Sequence, residues 1–403
     1  MYTSREPYPQ HGIIRQTRRW YTGVAKVEIP VGTYEEIVRE GDLLTINMGP
    51  QHPSTHGVFR MVLTLDGETV ISCRPVMGYL HRSVEKLAES RTYLQDVIFT
   101  DRLDYLSPMT TNLPFAMATE RLANIDVPER AQIIRVIMCE LQRFASHCVA
   151  IGTFANDTGA FHTALMYTFR ERERILDIFD EACGARMTVS YIRYGGIARD
   201  LTPEAVSMIR DFVSDMDRNI DEFESMLTDN EIFKARTEGI GVLSAEDAIA
   251  YSITGPMLRA TGVGYDVRKA EPYSLYDRFD FAIPTRRNGD CYDRYMVRVA
   301  EMRQTKQILE QALKDLPEGP VMGRVPKVFR PAKGYSYART ESPKGEIGVY
   351  LVSDGKTEPY RFHIRPPSFI NLGVLSKLVV GHKVADAVVI LGSIDIVMGE
   401  VDR

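Results

Sequence analysis

The chain of 403 residues carries 49 Lys+Arg against 54 Asp+Glu, a formal net charge of −5. Hydrophobic residues make up 44% and charged residues 26%, a globular composition, and the length suits about two or three domains or one large body with an arm. A mild negative balance with both signs interspersed gives no electrostatic footing for nucleic acid, so no nucleic-acid partner is expected.

Residues 1–41 are polar, rich in Arg, Tyr and Pro, and read as an extended arm without the apolar stretch of a secretory signal. Over 42–83, LLTINMG, VFRMVLTL and TVISCRPV are apolar, β-branched runs that predict antiparallel strands, with Asp66-Gly67 as a hairpin turn. The first two runs are joined by GPQHPSTHG, a loop dense in Gly, Pro and His. From 84 to 316 the period becomes helical. Behind Pro128, which suits a first helical position, Ile134, Ile137, Leu141, Phe144, Cys148 and Ile151 form one apolar stripe. A second helix is predicted from about Ala160 to Cys183, a third behind the Thr202-Pro203-Glu204 start signal, and a last from Tyr292 to Leu316. In the part 317–403, residues 317–343 read as a long loop, GEIGVYLVSDG and PYRFHIRPP as a hairpin, and VADAVVILGSIDIVMGEVDR as a closing segment. The fold class is α+β: a helical bundle core with small antiparallel sheets near both sequence ends.

Few residues outside this frame suggest chemistry. The stretch from Phe144 to Phe169 is the most apolar, but Asp157 interrupts it, so a membrane-spanning helix is not expected. The five cysteines, Cys73, Cys139, Cys148, Cys183 and Cys291, are widely spaced and form no CxxC pair, which argues for reduced thiols and against a protein-held Zn or Fe–S centre. His52 and His56 share the GPQHPSTHG loop, either against a cavity or as solvated turn residues; without a helix their spacing is weak support for a metal. Asp157 stands either at a polar inter-helix turn or buried with a His or Arg partner. FRERERILDIFDE reads as a solvated, salt-bridged helix face. No GxGxxG, GxxxxGK[ST] or GxSxG occurs, so neither a dinucleotide fold, a P-loop nor a serine hydrolase is supported.

Several long motifs together carry a resemblance. NMGPQHPSTHGVFR, GYLHRSVEK, RTYLQDVIFTDRLDY, YIRYGGIARDL, GPMLRATGVGYDVRK, GDCYDRYMVRVAEMRQ, PKGEIGVYLVSDG, PYRFHIRPPSF and SIDIVMGEVDR run in order from about Leu43 to Arg403. They resemble the D-subunit family of NADH-quinone oxidoreductase, respiratory complex I. The resemblance implies a fold like the large subunit of nickel–iron hydrogenases, whose metal is held by two CxxC pairs. Here those positions fall in RLDYLS, with Asp104 and Ser107, and in DIVMGE, with Val397 and Glu400. A soft Ni–Fe site needs thiolates. The resemblance therefore implies no metal, Fe–S cluster or flavin on this chain, and a cavity reused for a quinone headgroup.

By the same resemblance His56 and Tyr105 match the pair that hydrogen-bonds the quinone carbonyls, and Asp157 the acid that pairs with that histidine. His52 and Thr153 are further quinone-binding candidates. Arg82 and Arg403 fall near the terminal iron–sulfur cluster of a neighbouring subunit. The implied partners are that small Fe–S subunit, an adjacent peripheral-arm subunit and a membrane subunit at the quinone entrance. The implied place is peripheral, on the cytoplasmic side of a bacterial membrane, or on the matrix side of the inner mitochondrial membrane. The activity would be proton-translocating quinone reduction by the assembled complex, the chain being inactive alone. Two other readings are a metal-bearing hydrogenase relative and a scaffold subunit without catalytic residues. Two positions depart from the pattern: Val76 stands where many members have His, and Ser83 where they have Gly. The segment 317–343 is also shorter than in most members.

Overall fold

A computed structural model describes residues 38–159 and 162–403; residues 1–37 of the expected arm lie outside the described residues. Strands β1 (Val38–Glu40), β2 (Leu43–Met48), β3 (Arg60–Asp66) and β4 (Thr69–Val76) form an antiparallel sheet in that order. The sheet starts ahead of residue 42, because Val38–Glu40 turns back at Gly41 to pair with Leu43–Thr45. Asp66 and Thr69 pair across the expected hairpin turn, where Gly67 takes a φ of 59°. Met61, Leu63 and Leu65 alternate inward and seat the sheet on the core.

The body is helical: α1 (Val84–Ala88), α2 (Tyr93–Thr100), α3 (Pro108–Ala123), α4 (Glu129–Gly159), α5 (His162–Cys183) and α6 (Pro203–Leu227). Short helices α7 (Glu231–Thr237), α8 (Ala245–Ala250), α9 (Pro256–Arg259) and α10 (Val267–Ala270) lead to the long α11 (Cys291–Lys314). Thr202 caps α6 by accepting from the Ala205 N–H at 3.0 Å, and Asp290 caps α11 by accepting from the Asp293 N–H at 2.8 Å. Helix α4 is central and packs on α3, α5 and α11. Its predicted stripe of Ile134, Ile137, Leu141, Phe144, Cys148 and Ile151 is entirely buried.

Buried charges in the middle of α4 are partnered. Arg143 donates to the Glu341 carbonyl at 2.6 Å, and His147 Nε2 lies 2.9 Å from Glu301, which Arg259 also holds at 2.7 Å. Burial would raise the Glu301 carboxyl, but Arg259 and His147 outweigh it and hold it below the ordinary range. This network locks α4 to α9, α11 and the C-terminal sheet, so the far end of α4 is a fixed platform.

The second sheet has strands β5 (Ile192–Arg193) and β6 (Gly196–Ile197); the third has β7 (Gly334–Ser342), β8 (Gly345–Ser353) and β9 (Arg361–Arg365). The expected hairpin thus gains a third strand from the stretch read as a loop. Residues 334–342 show why: Ser336, Ala338 and Thr340 point inward while Tyr335 and Tyr337 are exposed. The Pro- and Gly-rich loop proper ends before them. The chain closes with α12 (Pro367–Leu372), α13 (Leu375–Leu378), α14 (Val384–Ile394) and α15 (Met398–Asp402). Among the described residues no helix is long and apolar enough to cross a membrane.

Candidate active site

The β2–β3 connection contains one 3-10 turn, Pro53–Thr55. His52 caps it, its Nδ1 accepting from the Ser54 N–H at 3.2 Å, and the ring stays exposed. The buried Thr55 hydroxyl bonds both the His52 carbonyl, at 2.7 Å, and the Gly57 carbonyl, at 2.9 Å. This cross-tie tightens the loop and leaves His56 in the left-handed region at φ 52°. The His56 side chain consequently turns inward, toward α14 and the end of α4.

Asp157 meets it there. The His56 Nε2 lies 2.5 Å from Asp157 Oδ2, with the two side chains 15% and 11% exposed. Burial alone would lower the His56 pKa, but the Asp157 hydrogen bond and charge, with Asp395 behind, raise it above its ordinary value. Asp157 lies within the last turn of α4 rather than at a turn between helices. The stretch Gly152 to Gly159 stays helical, its polar groups turned inward: the Thr158 hydroxyl donates to the Ala155 carbonyl at 2.8 Å and Asp157 meets His56. Thr153, one turn earlier, is half-buried, and its hydroxyl donates to the Val149 carbonyl at 2.8 Å.

Tyr105 sits in the turn between α2 and α3, ahead of the helix start. Burial and the neighbouring Asp104 raise its pKa, while Lys344 and Arg82 pull it down. The Arg82 guanidinium donates to the Gly399 carbonyl at 2.7 Å and to the Arg102 carbonyl at 3.1 Å. Its backbone N–H donates to the Arg403 carbonyl at 3.0 Å. Asp402 accepts from the Gly78 and Leu80 N–H groups, both at 2.8 Å, so the segment before α1 is tied to α15. Ser83, next along, takes a φ of 55°, a left-handed conformation that glycine adopts without strain. Arg403 lies 4.8 Å over the Phe369 ring.

Between these groups lies a buried ionic cluster. Lys344 Nζ is 3.1 Å from Asp104 Oδ2 and 3.7 Å from Asp395 Oδ2, and donates to the Ser146 hydroxyl at 2.9 Å. Glu400, fully buried, accepts from the Ser368 N–H at 2.9 Å through one oxygen only. Asp104, Ser107, Val397 and Glu400, the positions expected to replace the hydrogenase cysteines, are all buried here. This donor set does not fit a soft metal centre: it offers no thiolate, and the Lys344 ammonium already supplies the positive charge.

The structure therefore brings His56 and Asp157 into contact and sets Tyr105 beside Arg82 and the Lys344 cluster. Sequence reasoning does not single out Lys344, Asp395 or two glycines that complete the site. A Cβ on Gly392 would stand 2.2 Å from Asp157 Oδ2 and 3.2 Å from His56 Nε2. One on Gly399 would stand 2.5 Å from the Leu103 carbonyl and 3.0 Å from the Tyr105 ring. Gly392 is the floor under the His56–Asp157 pair and Gly399 the floor under Tyr105. The motif SIDIVMGEVDR holds Gly399, but nothing local tells a spacing glycine from a turn glycine.

Residues 157–334 and 324–403 match the family described as respiratory-chain NADH dehydrogenase, 49 kDa subunit. The D subunit of NADH-quinone oxidoreductase from Dehalococcoides mccartyi is 57% identical over 358 residues, covering 89% of this chain and 98% of that protein. The corresponding protein from a Roseiflexus species is 54% identical over 368 residues, with shares of 89% and 98%. The one from Clostridium beijerinckii is 50% identical over 360 residues, with shares of 89% and 97%. The family has the hydrogenase-large-subunit-like fold, in keeping with the helical body and small antiparallel sheets described above.

Proposed function

The chain belongs to the family of the 49 kDa subunit of respiratory-chain NADH dehydrogenase, the D subunit of NADH-quinone oxidoreductase, and from that premise we propose that it holds the quinone headgroup and supports its reduction to quinol. The observation that carries the reading is the His56–Asp157 contact of 2.5 Å, formed by a loop and a helix end with no local reason to meet. The Asp157 hydrogen bond and charge raise the His56 pKa and so favour the imidazolium, a donor for one quinone carbonyl. Tyr105 supplies a hydroxyl donor for the other. Its raised pKa makes it a reluctant acid, so the charge built up on the reduced quinone drives its proton transfer. Thr153, half-buried one helical turn before Asp157, is a lining residue in this reading; the exposed His52 serves the turn that aims His56.

Electrons come from the terminal Fe–S cluster of a partner subunit in this reading, with Arg82 and Arg403 on the side that faces it. Tyr79, Leu87, Leu94 and Ile98, large side chains exposed on the segment flanking Arg82, are where that partner packs. A peripheral-arm subunit and a membrane subunit at the quinone entrance complete the setting, on the cytoplasmic face of a bacterial membrane. The assembled complex, not this chain alone, then couples quinone reduction to proton translocation. The cofactor set proposed for the chain is quinone as substrate, with no metal, cluster or flavin of its own.

The test is Tyr105→Phe in fully assembled complex. Quinone reduction falls by a factor on the order of ten to a thousand. Electron transfer from NADH to a soluble one-electron acceptor, which bypasses the quinone, stays normal. A variant that reduces quinone at the normal rate overturns the assignment and favours the scaffold reading.

A further inference from the structure

The end of α14 lies directly beneath the His56–Asp157 pair. Gly392, in its last turn, has no slack above it: a Cβ there would stand 2.2 Å from Asp157 Oδ2 and 3.2 Å from His56 Nε2. Asp395 terminates the helix at a φ of 60°, its charge acts on His56, and it lies 3.7 Å from Lys344. The final carbonyls of a helix have no partner inside it. Here the Gly392 carbonyl accepts from the Asp395 N–H at 3.2 Å. The Ser393 and Ile394 carbonyls both accept from Arg298 Nη2, on α11, at 2.8 and 3.3 Å. One turn earlier on α11, Arg294 donates to the Ser393 hydroxyl at 2.8 Å, and that hydroxyl donates to the Ile390 carbonyl at 2.6 Å.

Both guanidiniums are buried. Among the described residues Arg298 hydrogen-bonds only to backbone carbonyls: the two on α14 and that of Arg294, at 3.4 Å. A cation buried without a hydrogen-bonded carboxylate is costly. The negative end of the α14 dipole and the charge of Asp395 offset that cost, so the arginine and the helix end hold each other in place.

We propose that Arg298 is a positioning residue of the quinone site, which fixes the end of α14 and through it the seat of His56 and Asp157 on Gly392. This rests on the quinone reading above and deepens it, adding a residue that touches neither the quinone nor the pair. A lysine at 298 keeps the charge. It loses the planar fork that spans α14 and its own helix, because an ammonium is a single point on a flexible stem. The end of α14 then shifts, and with no slack at Gly392 the shift reaches the Asp157 carboxylate. The charged groups that face His56 are Asp157 from α4 and Asp395 from the end of α14, with Lys344 and Arg298 behind Asp395.

The experiment is a double-mutant cycle in assembled complex, with a water-soluble short-chain quinone as acceptor: Arg298→Lys, Asp157→Asn and the two combined. Arg298→Lys lowers quinone reduction about tenfold or more through misplacement. Electron transfer from NADH to a soluble one-electron acceptor stays normal. The remaining quinone activity falls off at lower pH than in wild type, as with Asp157→Asn, because a loosened contact lets burial lower the His56 pKa. The combined variant loses less than the product of the two single losses, since both act through one contact. A residue that merely stabilises the fold leaves the pH profile unmoved and gives losses that multiply; either result overturns the proposal, as does a normal quinone rate. Tyr105→Phe, run beside them, separates the two readings. If it keeps the normal rate, the quinone reading falls and the positioning role with it. If it loses the rate while Arg298→Lys does not, only the positioning role falls. Where Arg298→Lys does not assemble, a map of unaltered complex that resolves side chains decides. Arg298 on the Ser393 and Ile394 carbonyls, with Gly392 against Asp157, sustains the proposal, and a guanidinium paired elsewhere overturns it.

Discussion

His56 and Asp157, 101 positions apart in sequence, place Nε2 and Oδ2 2.5 Å from each other. The loop that carries His56 is tied by Thr55, and the helix that carries Asp157 is locked at its middle by buried ion pairs. Neither side can relax toward the other. The contact is therefore imposed by the fold, and its chemistry sets the protonation of the imidazole.

Asp157→Asn tests that coupling through pH. With its folded pKa raised, His56 contributes stability that is fully present below its unfolded value of about 6.5 and is lost as pH rises through the folded value. Asparagine removes the charge and leaves burial, which lowers the His56 pKa. Quinone reduction by the assembled variant then falls off at lower pH than in wild type, with a milder loss at acidic pH. An unshifted pH profile would show that Asp157 does not govern the imidazole.

Gly392→Ala tests the floor beneath the pair. A Cβ 2.2 Å from Asp157 Oδ2 forces the carboxylate away from His56. Overpacking of this kind costs about 1–3 kcal/mol. The chain still folds and assembles, while quinone reduction drops about tenfold or more through misplacement. Gly399→Ala is harsher, since its Cβ meets backbone carbonyls of Leu103 and Arg102. A Gly392→Ala complex with unchanged quinone kinetics counts against a tight seat.

Arg82→Met tests an electrostatic reach beyond the chain. A guanidinium near a redox cluster stabilises its reduced, more negative state and raises its potential. The variant complex therefore shows a lower midpoint potential, or an altered spin-resonance signal, for the partner's terminal cluster. Identical potential and spectrum in assembled complex would remove Arg82 from this role.

Metal content is the last test. Lys344 places an ammonium against Asp104 and Asp395, where a dication would be repelled and thiolates are missing. Elemental analysis of the purified chain after chelation gives no stoichiometric nickel or iron. Retained metal at one equivalent would contradict the ammonium's role.

Much of the frame is legible in the residues alone. A period-three-and-four stripe locates α4, the Thr202-Pro203-Glu204 start signal locates α6, and apolar β-branched runs with Asp66-Gly67 locate β2 to β4, because burial of one face imposes its period on the local sequence. The long motifs that contain His56 and Tyr105 are also readable as a family resemblance, while Asp157 stands outside them. Strand β7 is not legible, since its alternating tyrosines follow a Pro- and Gly-rich stretch and show their pattern only when paired with β8. What only the tertiary structure decided is which distant residues meet. Asp157 reads as a turn residue, which Asn156, Thr158 and Gly159 favour, or as a buried partner, and the resemblance, not its neighbours, ties it to His56. Lys344 looks like one more basic residue before a glycine, yet it is fully buried among carboxyls from other segments of the chain. Local sequence specifies period and turn, through short-range sterics and burial. The pairing of charges across a hundred residues depends on how the helices pack, and no local pattern encodes it.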